Sequence, residues 1–290
     1  MLIIRLLSRL PMPVLYIISD CLFVLAYYVV GYRRKVVMAN LINSFPEKTK
    51  KELNKIALDF YKHLADFTVE VLKSVSISSE ALQKRVNFTN TEVLQNYYDS
   101  GKSTLLLSAH QFNWEWGLLA GFLQPYPVDV VYQKLSNDKS DKLMRETRSK
   151  FGASLIKKGD AIREIIRKTR EKRLIVINGD QTPSGGVKSD IHWATFLNQD
   201  TPFFKGPGVI PVKTNIPVVF FKISSPKRGY YDVEFIKLAE PPYEKGTLEV
   251  LERYIAETEK QIRERPAYWL WSHKRWKKKR EPKLVNENKK

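Results

Sequence analysis

Short apolar runs alternate with amphipathic stretches from residue 103 to residue 265, and this alternation limits the architecture more than any other feature of the chain. Ser103–Ala109 reads as a buried strand, followed by Val128–Tyr132, Leu174–Asn178 and Ile216–Ile223. Between them Ser140–Arg148 and Asp160–Lys172 carry helical periodicity, the second with Ile162, Ile165 and Ile166 on one face; Leu248–Arg265 adds a closing helix. Strands separated by helices predict an α/β fold with a central, mostly parallel sheet flanked by helices. Tyr230–Ile236 alternates in polarity and is expected as an edge strand. Upstream, Lys48–Lys73 is helical, with Leu53, Ile56, Phe60, Leu64 and Phe67 at three- and four-residue steps. His63 in that helix reads as a packing or surface residue. After residue 36 no Gly/Ser-rich linker breaks the chain, and no internal repeat is present.

Polar clusters follow two of these strands. Ser108-Ala109-His110-Gln111-Phe112-Asn113-Trp114-Glu115 places an imidazole and a carboxylate five positions apart in a turn. Imidazole titrates near neutrality and can take a proton from a hydroxyl. A carboxylate within reach can fix its tautomer, so His110 is the candidate general base and Glu115 its expected partner. Positions i and i+5 diverge by about 140° on a helix, so His110 should precede the helix and Glu115 fall in its first turns, whose amides could meet an oxyanion. Asp180-Gln181 follows the strand Leu174–Asn178. Ligands of open α/β sheets bind outside the carboxyl ends of the strands, so both clusters should share one crevice; the plainer reading of Asp180 is a turn residue. Gln181–Gly186 and Thr201–Gly208 read as irregular loops, the second offering Phe204, Lys205 and Gly206 as an apolar wall with close backbone approach.

The chain carries 49 Lys and Arg against 31 Asp and Glu, a formal charge of +18 over 290 residues, which predicts an anionic partner. Its N-terminus is apolar. MLIIRLLSRL sets Arg5 and Arg9 one turn apart, Pro11 and Pro13 interrupt, and Val14–Tyr32 runs on to Arg33-Arg34-Lys35. That length is close to the ~20 residues a bilayer requires. Asp20 opposes spanning by roughly 2.5–3.5 kcal/mol, which about ten aliphatic and aromatic residues offset at about 0.3–0.6 each. Spanning and lying in the interface both remain open, as does a buried core helix; if the segment spans, Arg33, Arg34 and Lys35 put the rest on the cytoplasmic side. The expected division is a membrane anchor over 1–35, a catalytic domain over 36–276 and a basic tail over 277–290. The single cysteine, Cys21, excludes an internal disulfide, and the four scattered histidines make a metal site unexpected.

Pro266–Trp276 holds three of the six tryptophans among cations. Trp269, Trp271, Arg275 and Trp276 are expected, with Arg5, Arg9, Arg33 and Arg34, as headgroup contacts at a membrane. Stacking on nucleic-acid bases would suit the same composition, but it leaves the apolar N-terminus and the His-Glu turn unexplained, so no nucleic-acid partner is expected.

Four segments in order carry a resemblance: HQFNWE; Val131-Tyr132-Gln133-Lys134 through Arg148 and Gly152; Asp180-Gln181 through Phe196, Thr201, Gly206 and Pro207; and RPAYWLWSHKRWK. Together they resemble the bacterial lipid A biosynthesis acyltransferases, late acyl-adding enzymes within the lysophospholipid acyltransferase superfamily, over roughly residues 5 to 280. The resemblance implies a glycerol-phosphate-acyltransferase-like fold at the cytoplasmic face of a bacterial inner membrane. It implies transfer of a fatty acyl chain from a thioester, on acyl carrier protein or coenzyme A, to a hydroxyl of an anionic lipid A precursor. No cofactor is expected, because the thioester is a co-substrate. His110 and Glu115 are the implied catalytic pair. Asn113, Trp114, Tyr132, Gln133, Arg145, Arg148, Asp180, Gln181, Phe204, Lys205 and Gly206 are the implied substrate contacts. Gln133 stands where relatives often carry Arg, and Asn198 where they often carry Gly. Arg145, Arg148 or Lys134 would then meet a substrate phosphate. The acceptor could instead be a lysophospholipid, an amino-acid lipid or a glycolipid, and a non-catalytic membrane scaffold on the same fold is the rival outside enzymes.

Overall fold

The computed structural model describes residues 2–183 and 190–280. Residues 184–186 of the first expected loop and the last ten of the expected tail lie outside them. The chain enters through helices α1 (Leu2–Ser8), α2 (Met12–Val24, continued by a π-helical turn over Leu25–Val29), α3 (Arg34–Ser44), α4 (Lys50–Ser74) and α5 (Ser79–Gln83). It continues through β1 (Val86–Thr89), α6 (Glu92–Asp99), β2 (Thr104–Ser108), α7 (Trp114–Gly121), β3 (Val128–Tyr132), α8 (Asp138–Ser149), β4 (Ser154–Lys157), α9 (Ala161–Lys168) and β5 (Leu174–Asn178). Then come β6 (Ile191–Phe196), β7 (Gln199–Phe204), α10 (Gly206–Thr214), β8 (Val218–Lys227), β9 (Tyr230–Ala239) and α11 (Glu249–Glu264).

Seven strands form one sheet in the order β1-β9-β8-β2-β5-β3-β4, parallel throughout except at β8–β9. All five residues of β2 are buried. Leu105 and Leu107 pack on one face with Ile175, Val218 and Phe220, and Leu106 on the other with Val176, Val219 and Phe221. Helices cover both faces, which is why these strands read as unbroken apolar runs. One buried charge interrupts the pattern. Asp129 in β3 accepts two hydrogen bonds from the Arg173 guanidinium, at 2.6 and 2.7 Å, so the carboxylate is paired where it is dehydrated.

Two expectations about elements are corrected. β9 is interior, because its flank away from β8 is taken by β1. Thr201–Gly208 is regular: its first half is β7, paired antiparallel with β6, and its second half opens α10. Pro202 is tolerated because β7 belongs to a two-stranded ribbon with a free edge. The ribbon turns on Leu197 and Asn198, both at positive φ (50° and 61°), the backbone that matches strand twist in a two-residue hairpin. Gly208 lets α10 approach α11; a Cβ there would lie 2.9 Å from Leu251 Cβ.

α4 is the longest helix, and its start is fixed by a capping box between Thr49 and Glu52. The helix running from Met12 to Val29 lies antiparallel along it. Tyr16 Oη donates to Glu70 Oε1 (2.8 Å), Ser19 Oγ to Asp66 Oδ1 (2.6 Å), and the Tyr27 ring meets the Tyr61 ring at 5.3 Å. The opposite side of that helix is exposed.

Candidate active site

Parallel register brings the two polar clusters together. β2 and β5 are neighbours with Ser108 opposite Asn178, so the residues two positions beyond each strand, His110 and Asp180, emerge side by side. His110 Nδ1 lies 2.6 Å from Asp180 Oδ1, and the His110 backbone N–H donates to Asp180 Oδ2 at 3.0 Å. Trp269 Nε1 donates to the same Oδ2 at 2.8 Å. Burial opposes ionisation of Asp180, but the imidazole, its hydrogen bonds and the indole outweigh it and hold the carboxyl at about 2. An ionised Asp180 accepts a hydrogen bond from Nδ1–H, which keeps the proton on Nδ1 and leaves Nε2 as the basic nitrogen.

The turn that aims His110 is held by the C-terminal segment. Phe112 sits in the left-handed region (φ 52°), uncommon for an aromatic residue. Its N–H donates to Tyr268 O, and its ring stacks on Tyr268 at 4.3 Å. Gln111 donates from Nε2 to the carbonyls of Gln261 and Arg265. Asn113 then caps α7, accepting from the Trp116 N–H, while its Nδ2 donates to the buried Glu70. His63 packs edge-on against Tyr268 at 4.8 Å, and burial lowers it to about 4, so it is a neutral packing residue as expected.

Glu115 does not stand behind the ring, a correction to the expected pairing. Its carboxylate is clasped by Arg148 from α8 through Nε (3.0 Å) and Nη2, with Trp114 Nε1 at 3.2 Å. Burial pushes this carboxyl up, but Arg148 with the nearby His110 more than reverses it, so Glu115 is the anion of a bidentate pair. Five residues carry Glu115 round to the α8 side of the helix, whereas Asp180 arrives from the neighbouring strand.

A cavity of about 470 Å³ opens at the carboxyl ends of β2, β3 and β5. Of the residues named from the sequence, His110, Trp114, Tyr132, Gln133, Arg148, Gln181, Phe204 and Gly206 line it. The strands divide its apolar wall: Val130, Val176, Phe221 and Leu118 lie towards one face of the sheet, Val131, Ile177, Ile162 and Ile210 towards the other. Other expected contacts fall elsewhere. Asn113 is fully buried and spent on its cap. Arg145 faces a neighbouring surface groove beside Asp141. Lys205 precedes α10, and Lys134 pairs with Asp138. Asp180 backs His110 instead of lining the space. Lys158, Lys277 and His273 line it without having been singled out by the sequence. His273 Nε2 accepts from the Thr182 N–H, and burial lowers the ring to about 4.

The expected headgroup contacts of the C-terminal segment are also corrected. Trp269, Trp271 and Arg275 are buried; Trp276 is half-buried and donates to Thr201 Oγ1. Arg275 lies over the Phe203 ring and donates to Pro202 O. These side chains brace the site from within. Arg5, Arg9, Arg33 and Arg34 are exposed.

The sheet is mostly parallel, and an imidazole–carboxylate pair and an apolar cavity sit at its carboxyl edge, where ligands of open α/β enzymes bind. The chain belongs to the bacterial lipid A biosynthesis acyltransferase family, whose model matches residues 1–278, and it is an O-acyltransferase. None of the curated proteins compared with it matches.

Proposed function

We propose that this protein transfers a fatty acyl chain from a thioester, on acyl carrier protein or coenzyme A, to a hydroxyl of an anionic lipid A precursor at the cytoplasmic face of a bacterial inner membrane. The observation that carries the mechanism is the His110–Asp180 pair at the cavity wall. Asp180 fixes the Nδ1–H tautomer, and Nε2 accepts the acceptor's hydroxyl proton as its oxygen attacks the thioester carbonyl carbon. The carbon–sulfur bond then breaks, and Nε2 returns the proton to the leaving thiolate. In this reading Arg148, which lines the same cavity and is held by Glu115, donates to the carbonyl oxygen as it gains charge. No step passes through a metal or a cofactor. Lys158 and Lys277 at the cavity suit a phosphate on either substrate.

The test is turnover of a carrier-protein thioester and a lipid A precursor in vesicles. His110→Ala is expected to lose at least ~10²-fold in kcat; near-normal turnover would overturn the assignment. Mass spectrometry of lipids from cells lacking the protein identifies the acceptor, because the missing acylated species carries it.

A further inference from the structure

The helix from Met12 to Val29 is apolar and long enough to cross a bilayer, yet it is docked side-on to a charged helix. Its inward face is Met12, Leu15, Tyr16, Ser19, Phe23 and Tyr27 at three- and four-residue steps. These meet α4 in antiparallel order: Tyr16 at Glu70, Ser19 at Asp66, Phe23 under the Lys62 ammonium (5.8 Å) and Tyr27 at Tyr61. Asp20 is tied as well, to the Arg228 guanidinium at 2.7 Å, and Arg228 also clasps Asp66. Every polar side chain of the segment outside its tyrosines and Cys21 is thus spent on the folded domain. Crossing a bilayer in this pose would carry Asp59, Lys62 and Asp66 of α4 to hydrocarbon depth beside it, where ionised groups are strongly disfavoured.

Among the described residues the outward face is left exposed. Val14, Ile17, Cys21, Val24, Leu25 and Tyr28 form one exposed stripe, with Ile17 at 65% and Val24 at 49% exposure. α1 adds exposed Leu2, Ile3, Leu6 and Leu7. Exposed Arg9 borders the stripe at one end and Arg33, Arg34 and Lys35 at the other, the charge pattern that meets lipid phosphates when a helix lies flat. Arg5 of α1 pairs with Glu146 of α8, the helix that supplies Met144 and Arg148 to the cavity, so this surface adjoins the active site.

We infer that the N-terminal helices lie in the plane of an anionic leaflet, with the Val14–Tyr28 stripe in the acyl boundary and the polar face held on the catalytic domain, and do not span the membrane. The inference rests on the membrane attachment proposed above and adds its geometry.

The experiment is depth measurement by spin labelling of the full-length protein on vesicles of phosphatidylethanolamine and phosphatidylglycerol. Native Cys21 takes one label; Val14→Cys, Val24→Cys and Val29→Cys in a Cys21→Ser background take the others, all at exposed positions that leave the core untouched. Collision with oxygen against an aqueous nickel chelate reads depth. The expected result is one shallow depth, about 5–10 Å, shared by the four sites. A profile shallow at Val14 and Val29 and deepest at Cys21 and Val24, as a helix rising about 1.5 Å per residue across a hydrocarbon core about 30 Å thick would give, would overturn the in-plane geometry while leaving attachment intact. Four water-exposed labels would overturn attachment too. Neither readout depends on turnover, so a failure of the acyl-transfer reading would be seen separately.

Discussion

Two carboxylates lie near His110, and they hold different partners. Asp180 meets Nδ1 at 2.6 Å, whereas Glu115 is bound by Arg148. An amide at Asp180 would keep the shape but favour the wrong tautomer, leaving Nε2 protonated. Asp180→Asn is therefore expected to lower kcat by about 10³–10⁴-fold with little change in KM, the scale known for a tautomer-fixing carboxylate. Glu115→Gln leaves the ring's tautomer intact and loosens Arg148, so its loss should be smaller and should follow the thioester's reactivity. Steady-state kinetics of the two variants checks the division; equal losses would place Glu115 behind the ring after all. The pH sign for Asp180 follows from its depressed carboxyl. Its contribution to stability is full above about 4 and lost as pH falls towards about 2, so the pair is intact through the neutral range. His110 and both carboxylates were visible in the sequence, as residue types that follow apolar runs. Which carboxylate faces the ring was not, because that depends on the Ser108–Asn178 register between strands separated by some seventy residues of chain.

At the scale of elements, α4 joins the N-terminal helix α2 to the turn that carries His110 through one buried carboxylate. Glu70 accepts from Tyr16 of α2, Tyr231 of β9 and Asn113 at the cap of α7. Burial raises it to about 7 despite those three donors. A raised carboxyl favours the protonated fold, so its share of stability is complete below about 4.5 and is lost as pH rises through about 7. Glu70→Gln removes that slope. The difference in unfolding free energy between variant and wild type should shift by about 2–3 kcal/mol in the variant's favour between pH 5 and pH 8. Thermal or denaturant melts at the two pH values check it, and an unchanged difference would mean that Glu70 is ionised throughout. Helices were the most legible elements: the expected Lys48–Lys73 is Lys50–Ser74, and Leu248–Arg265 is Glu249–Glu264. The β6–β7 ribbon was hidden because leucine at positive φ is no turn signal, and Leu197 holds that backbone only with its side chain fully buried. The interior place of β9 was hidden because alternation marks one polar face and does not say which strand pairs beyond it.

For the whole molecule, the excess of positive charge acts with the apolar stripe. The expected C-terminal headgroup contacts Trp269, Trp271 and Arg275 are removed from the surface: Trp269 and Arg275 are packed against the hairpin and the Asp180 loop, and Trp271 against Phe45 at the end of α3. Tryptophans interleaved with cations look alike in sequence whether they meet lipid or core, and only the fold separates the two. In the in-plane geometry proposed above, lipid electrostatics falls to cations such as Arg9, Arg34 and Lys35, all exposed at the ends of the apolar stripe. Each is worth about 1 kcal/mol near an anionic leaflet, so Arg9→Gln/Arg34→Gln/Lys35→Gln should weaken vesicle binding by about 10²-fold at low salt. At about 1 M salt, where the screening length is about 3 Å, the gap should nearly close, and the remaining affinity belongs to the stripe. Arg275→Met should leave binding unchanged at either salt, since a guanidinium buried beneath Phe203 and Pro202 cannot reach a phosphate. Vesicle sedimentation of the two variants across a salt series decides it: a triple variant that binds like wild type at low salt, or a binding loss in Arg275→Met, would put the lipid contact on the C-terminal segment instead.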